Sequence, residues 1–228
     1  MYCEKLTHKL SLSTNIMAKL TKGILGPIRG KLGPVVGSSW KGIAYLREHS
    51  KTKVPKARRT SVQLANEQKF KFVKQWLVPF YPYITVGFLR LAIRKTEINA
   101  AFSANFQIFT GTYPNIEIDY SRFIISKGDL PGLKQPAIEL AASDTLKITW
   151  LQNTLYTASF DDQLMLVLYS SELRITDGFI GGVKRSALQH SFQFDQRLIG
   201  KELEVYLSVT SSDRKKIADS IYMGRVLP

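Results

Sequence analysis

Hydrophobic residues recur at three- and four-residue spacing in the second quarter of the chain, at Phe70, Val73, Leu77 and Phe80. This period is typical of an amphipathic helix with one apolar stripe. Thr60 and the glutamine three residues later fit a capping box, in which two side chains satisfy each other's free backbone amides. A helix is therefore expected to begin directly after Thr60.

The ends of the helical region carry their own signals. Pro79 and Pro82 are expected to break or kink the first helix, because proline lacks the amide donor. The segment "TEINAAFSANFQIF" predicts a second short helix with Thr96 as its N-cap. Gly111 and Pro114 are expected to end it.

The pattern changes to strands from Asn115 onward. "IEIDYSRFIIS" alternates, and "LKITW" places Leu146, Ile148 and Trp150 on one face. "QLMLVLYS" is almost continuously apolar, as in a strand buried on both sides. "HSFQFD", "LEVYLSV" and "SIYMGRV" supply further strands. Six or seven short strands at this spacing predict an antiparallel sandwich of immunoglobulin or fibronectin type III kind.

A different pattern fills Gly23–Gly42, "GILGPIRGKLGPVVGSSWKG", which holds six of the fifteen glycines. A phosphate-binding loop is excluded, because Leu32 stands where that motif needs Ser or Thr. A membrane helix is excluded by Pro27 and Pro34 and by the basic residues between the glycines. The run therefore predicts extended backbone with turns. It packs on its own sheet or adds a strand to another copy.

Charge divides the chain into two halves. The formal net charge is +14, and residues 1–110 carry 19 Lys and Arg against 4 Asp and Glu. Residues 111–228 carry 13 against 14. A basic half suits nucleic acid, an anionic membrane surface or an acidic protein partner.

The first sixteen residues do not resemble a signal peptide, because their lysines are scattered and no apolar core is present. Met17 is a more natural start, so residues 1–16 are expected to be a disordered or spurious extension. No apolar run approaches the length of a transmembrane helix. Cytoplasmic location is the default expectation, with export by a non-classical route left open.

Catalytic and metal-binding signatures are weak. His8, His49 and His190 stand apart, and Cys3 lies in the doubtful extension. The pair Asp161–Asp162 offers too few oxygen ligands for calcium. We expect a non-enzymatic protein with no cofactor, no metal and no inferred small-molecule substrate.

The segment "MAKLTKGILGPIRGKLGPVVGSSWKGIAYLRE" resembles the opening of a family of Bacteroidota proteins with no assigned function. That family's segment ends in Val-Gly-Ser-Ser-Trp-Lys-Gly, which here is Val36–Gly42, and an arginine follows, here Arg47. "ASFDDQLMLVLY" and "DSIYMGR" resemble its carboxy-terminal part. The resemblance runs from Met17 to the end and implies a bacterial protein, but it transfers no catalytic residues.

These patterns together predict an α+β protein: a glycine-rich β segment, short helices, then the sandwich. The expected parts are the extension at 1–16, the β segment at 17–50, a basic linker at 51–60, helices at 61–114 and the sandwich at 115–228. The leading function is a structural or protein-interaction role, with self-assembly through the glycine-rich segment. The alternative is nucleic-acid binding by the basic half.

Two sets of residues are candidates for these roles. The interaction set is Gly26, Gly30, Gly33, Gly37, Trp40, Lys41, Gly42 and Arg47. The basic set is Lys51, Lys53, Lys56, Arg58, Arg59, Lys69, Lys71 and Lys74.

Overall fold

The computed structural model describes residues 19–20, 26–40, 42–49, 59–153, 155 and 157–228. The chain divides into two compact units, one ending at Arg59 and one running from Thr60 to Pro228. The extension predicted at 1–16 and almost all of the predicted linker lie outside the described residues.

The first unit contains an antiparallel β-meander. Its strands are β1 (Lys19–Leu20), β2 (Ile28–Leu32), β3 (Val35–Trp40) and β4 (Ile43–Glu48), paired in sequence order. The glycine-spaced run thus forms β2 and β3, with Gly30 opposite Gly37. This order leaves β4 with one edge free of any partner among the described strands.

Two glycines of the meander have specific backbone roles. Gly33 and Pro34 form the two-residue turn between β2 and β3, and Gly33 has a φ of 57°. A positive φ at the first turn position followed by proline suits a hairpin turn whose twist matches its strands. At Gly37, a Cβ atom would lie 2.1 Å from the Ile28 carbonyl oxygen. Only glycine allows this close approach.

Three α-helices begin the second unit: α1 (Ser61–Trp76), α2 (Tyr81–Gly87) and α3 (Glu97–Asn105). The predicted capping box at Thr60 is confirmed, with both of its hydrogen bonds to Gln63 present. The predicted N-cap at Thr96 is also confirmed, since its Oγ1 accepts the Asn99 amide at 3.1 Å. A 3-10 turn that contains Pro79 separates α1 from α2, and Pro82 lies in the first turn of α2.

Nine strands follow the helices. They are β5 (Phe109–Thr112), β6 (Asn115–Ile118), β7 (Lys134–Ala142), β8 (Thr145–Leu151), β9 (Gln163–Ser170), β10 (Ile175–Lys184), β11 (Gln189–Gln193), β12 (Leu203–Thr210) and β13 (Ile221–Val226). A three-stranded sheet has the order β11–β8–β7, and a four-stranded sheet has the order β10–β9–β12–β13. Strands β5 and β6 form a separate hairpin. The expected antiparallel β architecture is confirmed.

The four-stranded sheet lies at the centre of this unit. One face packs on the three-stranded sheet, where Leu146, Ile148 and Trp150 of β8 meet alternate residues of β9 and β12. The other face packs under α1, α2 and α3, and Tyr169 and Tyr206 belong to that core. Every residue of β12 is buried, and so is every residue of β9 except Gln163.

Three details differ from the sequence-based expectations. The strand expected over "IEIDYSRFIIS" ends at Ile118, because a 3-10 turn at Tyr120–Arg122 follows. Strand structure begins at Phe109, six residues before the expected change of pattern. Phe70, assigned to the apolar stripe of α1, is 48% exposed, although its ring lies 4.5 Å from that of Phe102.

Candidate interaction surface

The β-meander carries an unusual amount of exposed apolar surface. Five large hydrophobic side chains of β2, β3 and β4 are each at least 40% exposed. They are Leu32, Trp40, Ile43, Tyr45 and Leu46. Scattered exposed hydrophobics are ordinary, but several on one small sheet are typical of an interaction surface.

Pairing register places these side chains on both faces of the meander. Trp40 pairs with Ile43, so the two share a face, and Tyr45 two residues along β4 lies on that face too. Leu46 pairs with Gly37 on the opposite face. All six residues of β4 are exposed. The meander therefore offers two apolar faces, and the outer edge of β4 has no partner among the described strands.

A groove of about 330 Å³ runs along this unit. It is lined by Gly26, Pro27, Ile28, Ala44, Tyr45 and Leu46. Gly37 lies between Ile28 and Leu46 and has no side chain to fill the space. The glycine thus permits the close approach of the Ile28 backbone, which forms one wall of the groove.

The charges on the meander are few and mixed. The guanidinium of Arg29 donates a hydrogen bond to the Ser39 hydroxyl at 2.9 Å, so that cation is partly satisfied within the sheet. Strand β4 contains one cation and one anion, Arg47 and Glu48. The free edge is therefore close to neutral, unlike the chain as a whole.

The predicted interaction residues fall in this unit. Gly26, Gly30, Gly33, Gly37, Trp40, Gly42 and Arg47 lie in the meander or its turns. Lys41 is outside the described residues. The predicted interaction set did not include Ile43, Tyr45 and Leu46, although the large apolar residues of "GIAYLRE" were a usable signal.

The predicted basic residues are only partly described. Lys51, Lys53, Lys56 and Arg58 lie outside the described residues, and Arg59 directly precedes α1. Lys71 and Lys74 are exposed on α1. The ammonium of Lys69 lies 5.4 Å from the centre of the Phe106 ring, a cation–π contact.

Titratable groups of the second unit are concentrated under the helices. The Tyr206 hydroxyl donates to the Tyr120 carbonyl oxygen at 2.9 Å, and the Tyr222 hydroxyl donates to Glu204 at 2.5 Å. Arg225 forms an ion pair with Glu204 at 2.7 Å. Burial raises the pKa of Tyr222 to about 12, reinforced by its hydrogen bond to Glu204. These groups satisfy one another, as in a structural network.

Over the described ranges, no helix combines the length and apolarity needed to cross a bilayer. Among the same residues, no three His, Cys, Asp or Glu side chains cluster in a way that could hold a metal ion.

No curated protein matches the chain. Among solved structures, the fn3 domain of human collagen alpha-1(XX) chain is similar at 10% identity and a TM-score of 0.33. That match covers 42% of this chain and 83% of the fn3 chain.

A family model described as a family of unknown function, DUF6266, matches residues 27–224. The predicted membership of a family with no assigned function is confirmed. The Bacteroidota origin and the family signature at Val36–Gly42 stay predictions. Since the match spans most of the sequence, the chain belongs to the DUF6266 family.

Proposed function

We propose that this chain is a non-enzymatic protein-interaction protein that self-associates through its N-terminal β-meander. The observation that carries the proposal is the free edge of β4, on which all six residues are exposed. A strand edge presents unpaired amides and carbonyls, and these form a template for another strand.

A second copy of this chain is the occupant that the charges favour. The edge strand has one arginine and one glutamate, so two copies of β4 approach without the repulsion that +14 on the whole chain implies. Two identical strands that pair in antiparallel fashion are related by a twofold axis, which is the commonest symmetry of homodimers. Apolar residues on both faces then extend the contact beyond the edge.

The second unit supports a binding role only at the level of architecture. Its sandwich has three strands facing four, and we infer that it is of the immunoglobulin or fibronectin type III kind. Such sandwiches serve many unrelated functions, so the fold by itself assigns none. The proposal therefore depends on the meander.

Size-exclusion chromatography with light scattering tests the proposal on the full chain. We expect a dimer at high concentration that dissociates on dilution, and a monomer when residues 17–42 are deleted. The substitution Leu46→Glu should weaken the dimer by about tenfold or more, because it buries a charge at an apolar contact. Ile93→Glu is the matched control, since Ile93 is 77% exposed in the other unit.

The outcome that contradicts self-association is equally clear. If the full chain and the deletion are both monomeric over the same concentrations, the meander does not join copies of this chain. Equal weakening by Leu46→Glu and Ile93→Glu would assign the effect to charge in general.

Nucleic-acid binding by the basic half is the second candidate, and the exposed lysines of α1 favour it. Lys71 and Lys74 extend the basic run that precedes the helix. Affinity for DNA or RNA that falls steeply between low and moderate salt would support it. Absence of binding at low salt would exclude it.

A further inference from the structure

A small cavity of about 60 Å³ opens in the second unit where α1 meets the end of β9. Its lining residues are Phe72, Gln75, Trp76, Pro79, Tyr169 and Arg174. None of them is acidic. A single water molecule needs only about 10–15 Å³ of such space, so the cavity has room for a small polar group.

Trp76 forms the inner wall of the cavity and has an unsatisfied donor. The residue is 8% exposed, and its ring meets the rings of Phe109 and Phe123 edge-on, at 5.1 and 4.8 Å. Its indole nitrogen Nε1 is buried and has no hydrogen-bond partner. Buried donors in folded proteins are normally paired, so this one requires an explanation.

Tyr169 lines the cavity beside this indole. Its ring centre is 5.5 Å from that of Trp76, and the residue is only 1% exposed. Burial raises the pKa of Tyr169, as does nearby Tyr120, while Arg174 and the indole N–H of Trp76 act in the opposite direction. The indole is thus near the hydroxyl but does not reach it with hydrogen-bond geometry. The phenol stays protonated and keeps its ability to donate.

Arg174 brings a positive charge to the mouth of the cavity. It follows β9 in the turn before β10, where its amide donates to the Ser170 carbonyl oxygen at 2.9 Å. Its φ is 55°, a left-handed conformation that is uncommon for arginine. Its side chain makes no ion pair with any carboxylate in the described part of the chain.

A wider groove of about 440 Å³ adjoins the cavity, since both are lined by Phe72, Gln75 and Arg174. The groove adds Gln68, Lys71, Tyr113 and Pro114. Its walls therefore combine aromatic surface with a second cation, and again no acidic side chain is present.

We propose that the cavity and groove bind a small aromatic or aliphatic carboxylate. The carboxylate accepts hydrogen bonds from the Tyr169 hydroxyl and the Arg174 guanidinium. The apolar part of the ligand lies in the groove beside Phe72 and Tyr113. All of the lining residues belong to the second unit, so the proposal goes beyond self-association through the β-meander and does not depend on it.

The unsatisfied indole supports this assignment. A tyrosine hydroxyl donates one hydrogen bond and accepts others, and donating to an anion makes its oxygen a better acceptor. When the ligand is bound, we expect the two rings to shift slightly, so that the Tyr169 oxygen accepts the Trp76 N–H. The ligand thereby satisfies a buried donor that it does not itself touch.

A carboxylate fits this site better than a phosphate. Arginine pairs with the two oxygens of a planar carboxylate through two parallel hydrogen bonds. The inner cavity adds one hydroxyl donor to that pair. Arginine pairs with phosphate in the same way, so the apolar walls at Phe72 and Tyr113 are what favour an organic carboxylate over inorganic phosphate.

The chain contains three tryptophans, so nuclear magnetic resonance can follow the indole N–H groups one by one. The probe is sodium benzoate, titrated at constant ionic strength. We expect the Trp76 indole signal to move downfield and saturate. The signals of Trp40 and Trp150 should stay in place, because the Trp150 indole already donates to the Arg185 carbonyl oxygen at 2.7 Å.

Substitutions separate the carboxylate contacts from general effects. Tyr169→Phe keeps the ring and should abolish the Trp76 shift, while Arg174→Gln should weaken benzoate binding by about 5- to 10-fold. Arg94→Gln is the matched control, since Arg94 is exposed and has a similar φ of 56°. It should leave benzoate affinity unchanged.

Several outcomes overturn the proposal. One is the absence of a saturable Trp76 shift at roughly 50 mM benzoate, which would saturate a complex of about 1 mM affinity. A second is an equal response to neutral benzamide, because the charge would then play no part. A third is binding of inorganic phosphate without binding of benzoate. Equal loss of affinity in the Arg174 and Arg94 variants would also exclude the site.

Discussion

Asp161 and Asp162 are neighbours in the sequence but have opposite environments. Asp161 pairs with Lys184 at 2.6 Å, and both side chains are largely exposed, at 43% and 58%. Asp162 pairs with Arg185 at 3.2 Å, and these side chains are 3% and 4% exposed. The two ion pairs differ in burial, which decides their contribution to stability.

The buried arginine also fixes a loop. Its guanidinium donates to the carbonyl oxygens of Gly132 and Pro131, at 2.7 and 2.6 Å. Asp162 additionally accepts the Ser159 amide at 2.9 Å. Burial lowers the pKa of Arg185, and Asp162 opposes this effect. Both carboxylates of the pair Asp161–Asp162 thus already have cationic partners.

Asp162→Asn should reduce the free energy of unfolding by about 3–5 kcal/mol, because it leaves the Arg185 charge buried without its counterion. Asp161→Asn is the matched control, and its loss should stay below about 1 kcal/mol, since exposed pairs contribute little. Urea denaturation of both variants measures the difference. Similar small losses would show that solvent reaches Arg185.

At the scale of elements, β12 shows what hydrophobic alternation can and cannot predict. Leu203, Val205, Leu207 and Val209 face the sandwich core, as the pattern indicates. The polar residues between them are buried too. Glu204 is paired with Arg225, and the Ser126 hydroxyl donates to the Ser208 hydroxyl at 2.7 Å. A polar residue in a strand indicates solvent only when no partner comes from elsewhere in the chain.

Helix α2 ends against the segment at residues 123–127, which follows the 3-10 turn at Tyr120–Arg122. The Lys127 amide donates to the Gly87 carbonyl oxygen at 3.1 Å. A Cβ atom on Gly87 would lie 2.1 Å from the Ile125 carbonyl oxygen. The helix and the segment can therefore approach this closely only because position 87 has no side chain.

Gly87→Ala should lower the free energy of unfolding by about 1–3 kcal/mol, because the backbone must move to accept the methyl group. Gly132→Ala is the control, since its Cβ would make an ordinary contact at 3.6 Å from Ile221. Thermal unfolding of the two variants makes the comparison. A Gly87 variant as stable as the Gly132 variant would contradict the close packing of α2.

At the scale of the whole molecule, features that depend on neighbouring residues could be predicted from the sequence, and features that depend on tertiary contacts could not. The caps at Thr60 and Thr96 and the two-sided strand β9 were predictable, because each depends on residues close together in the sequence. The cavity was not, because Trp76 and Arg174 are almost a hundred positions apart. A site of this kind depends on tertiary packing, which periodicity does not encode.

The buried tyrosines have a common effect on the second unit. Burial, together with the charge of Asp177, raises the pKa of Tyr83 to about 12, and Tyr222 also has a pKa of about 12. Burial raises the pKa values of Tyr120, Tyr169 and Tyr206 as well. All five therefore hold their protons more firmly in the folded state.

We expect stability to fall as the pH rises from about 10 to about 12. An unfolded tyrosine ionises near pH 10, so above that value the unfolded state loses protons that the folded state retains. The tyrosine contribution is fully present below about pH 10 and is lost as the pH passes the folded pKa values. Urea midpoints across this range, with phenolate absorbance as a second signal, measure it.

Tyr222→Phe should make this decline in stability shallower, because it removes one of the tyrosines whose pKa is raised by folding. Tyr113→Phe, at a position that is 48% exposed, should leave the slope as it is. A stability that stays constant through this range would mean that the buried tyrosines open to solvent before they ionise.

The central position of the four-stranded sheet determines which part of the second unit opens last. Strands β9 and β12 are covered by helices on one side and by the three-stranded sheet on the other. Either cover can open while the other still shields these two strands. Their amide hydrogens should therefore be the last to exchange with deuterated solvent, and their exchange rates should report complete unfolding rather than local breathing.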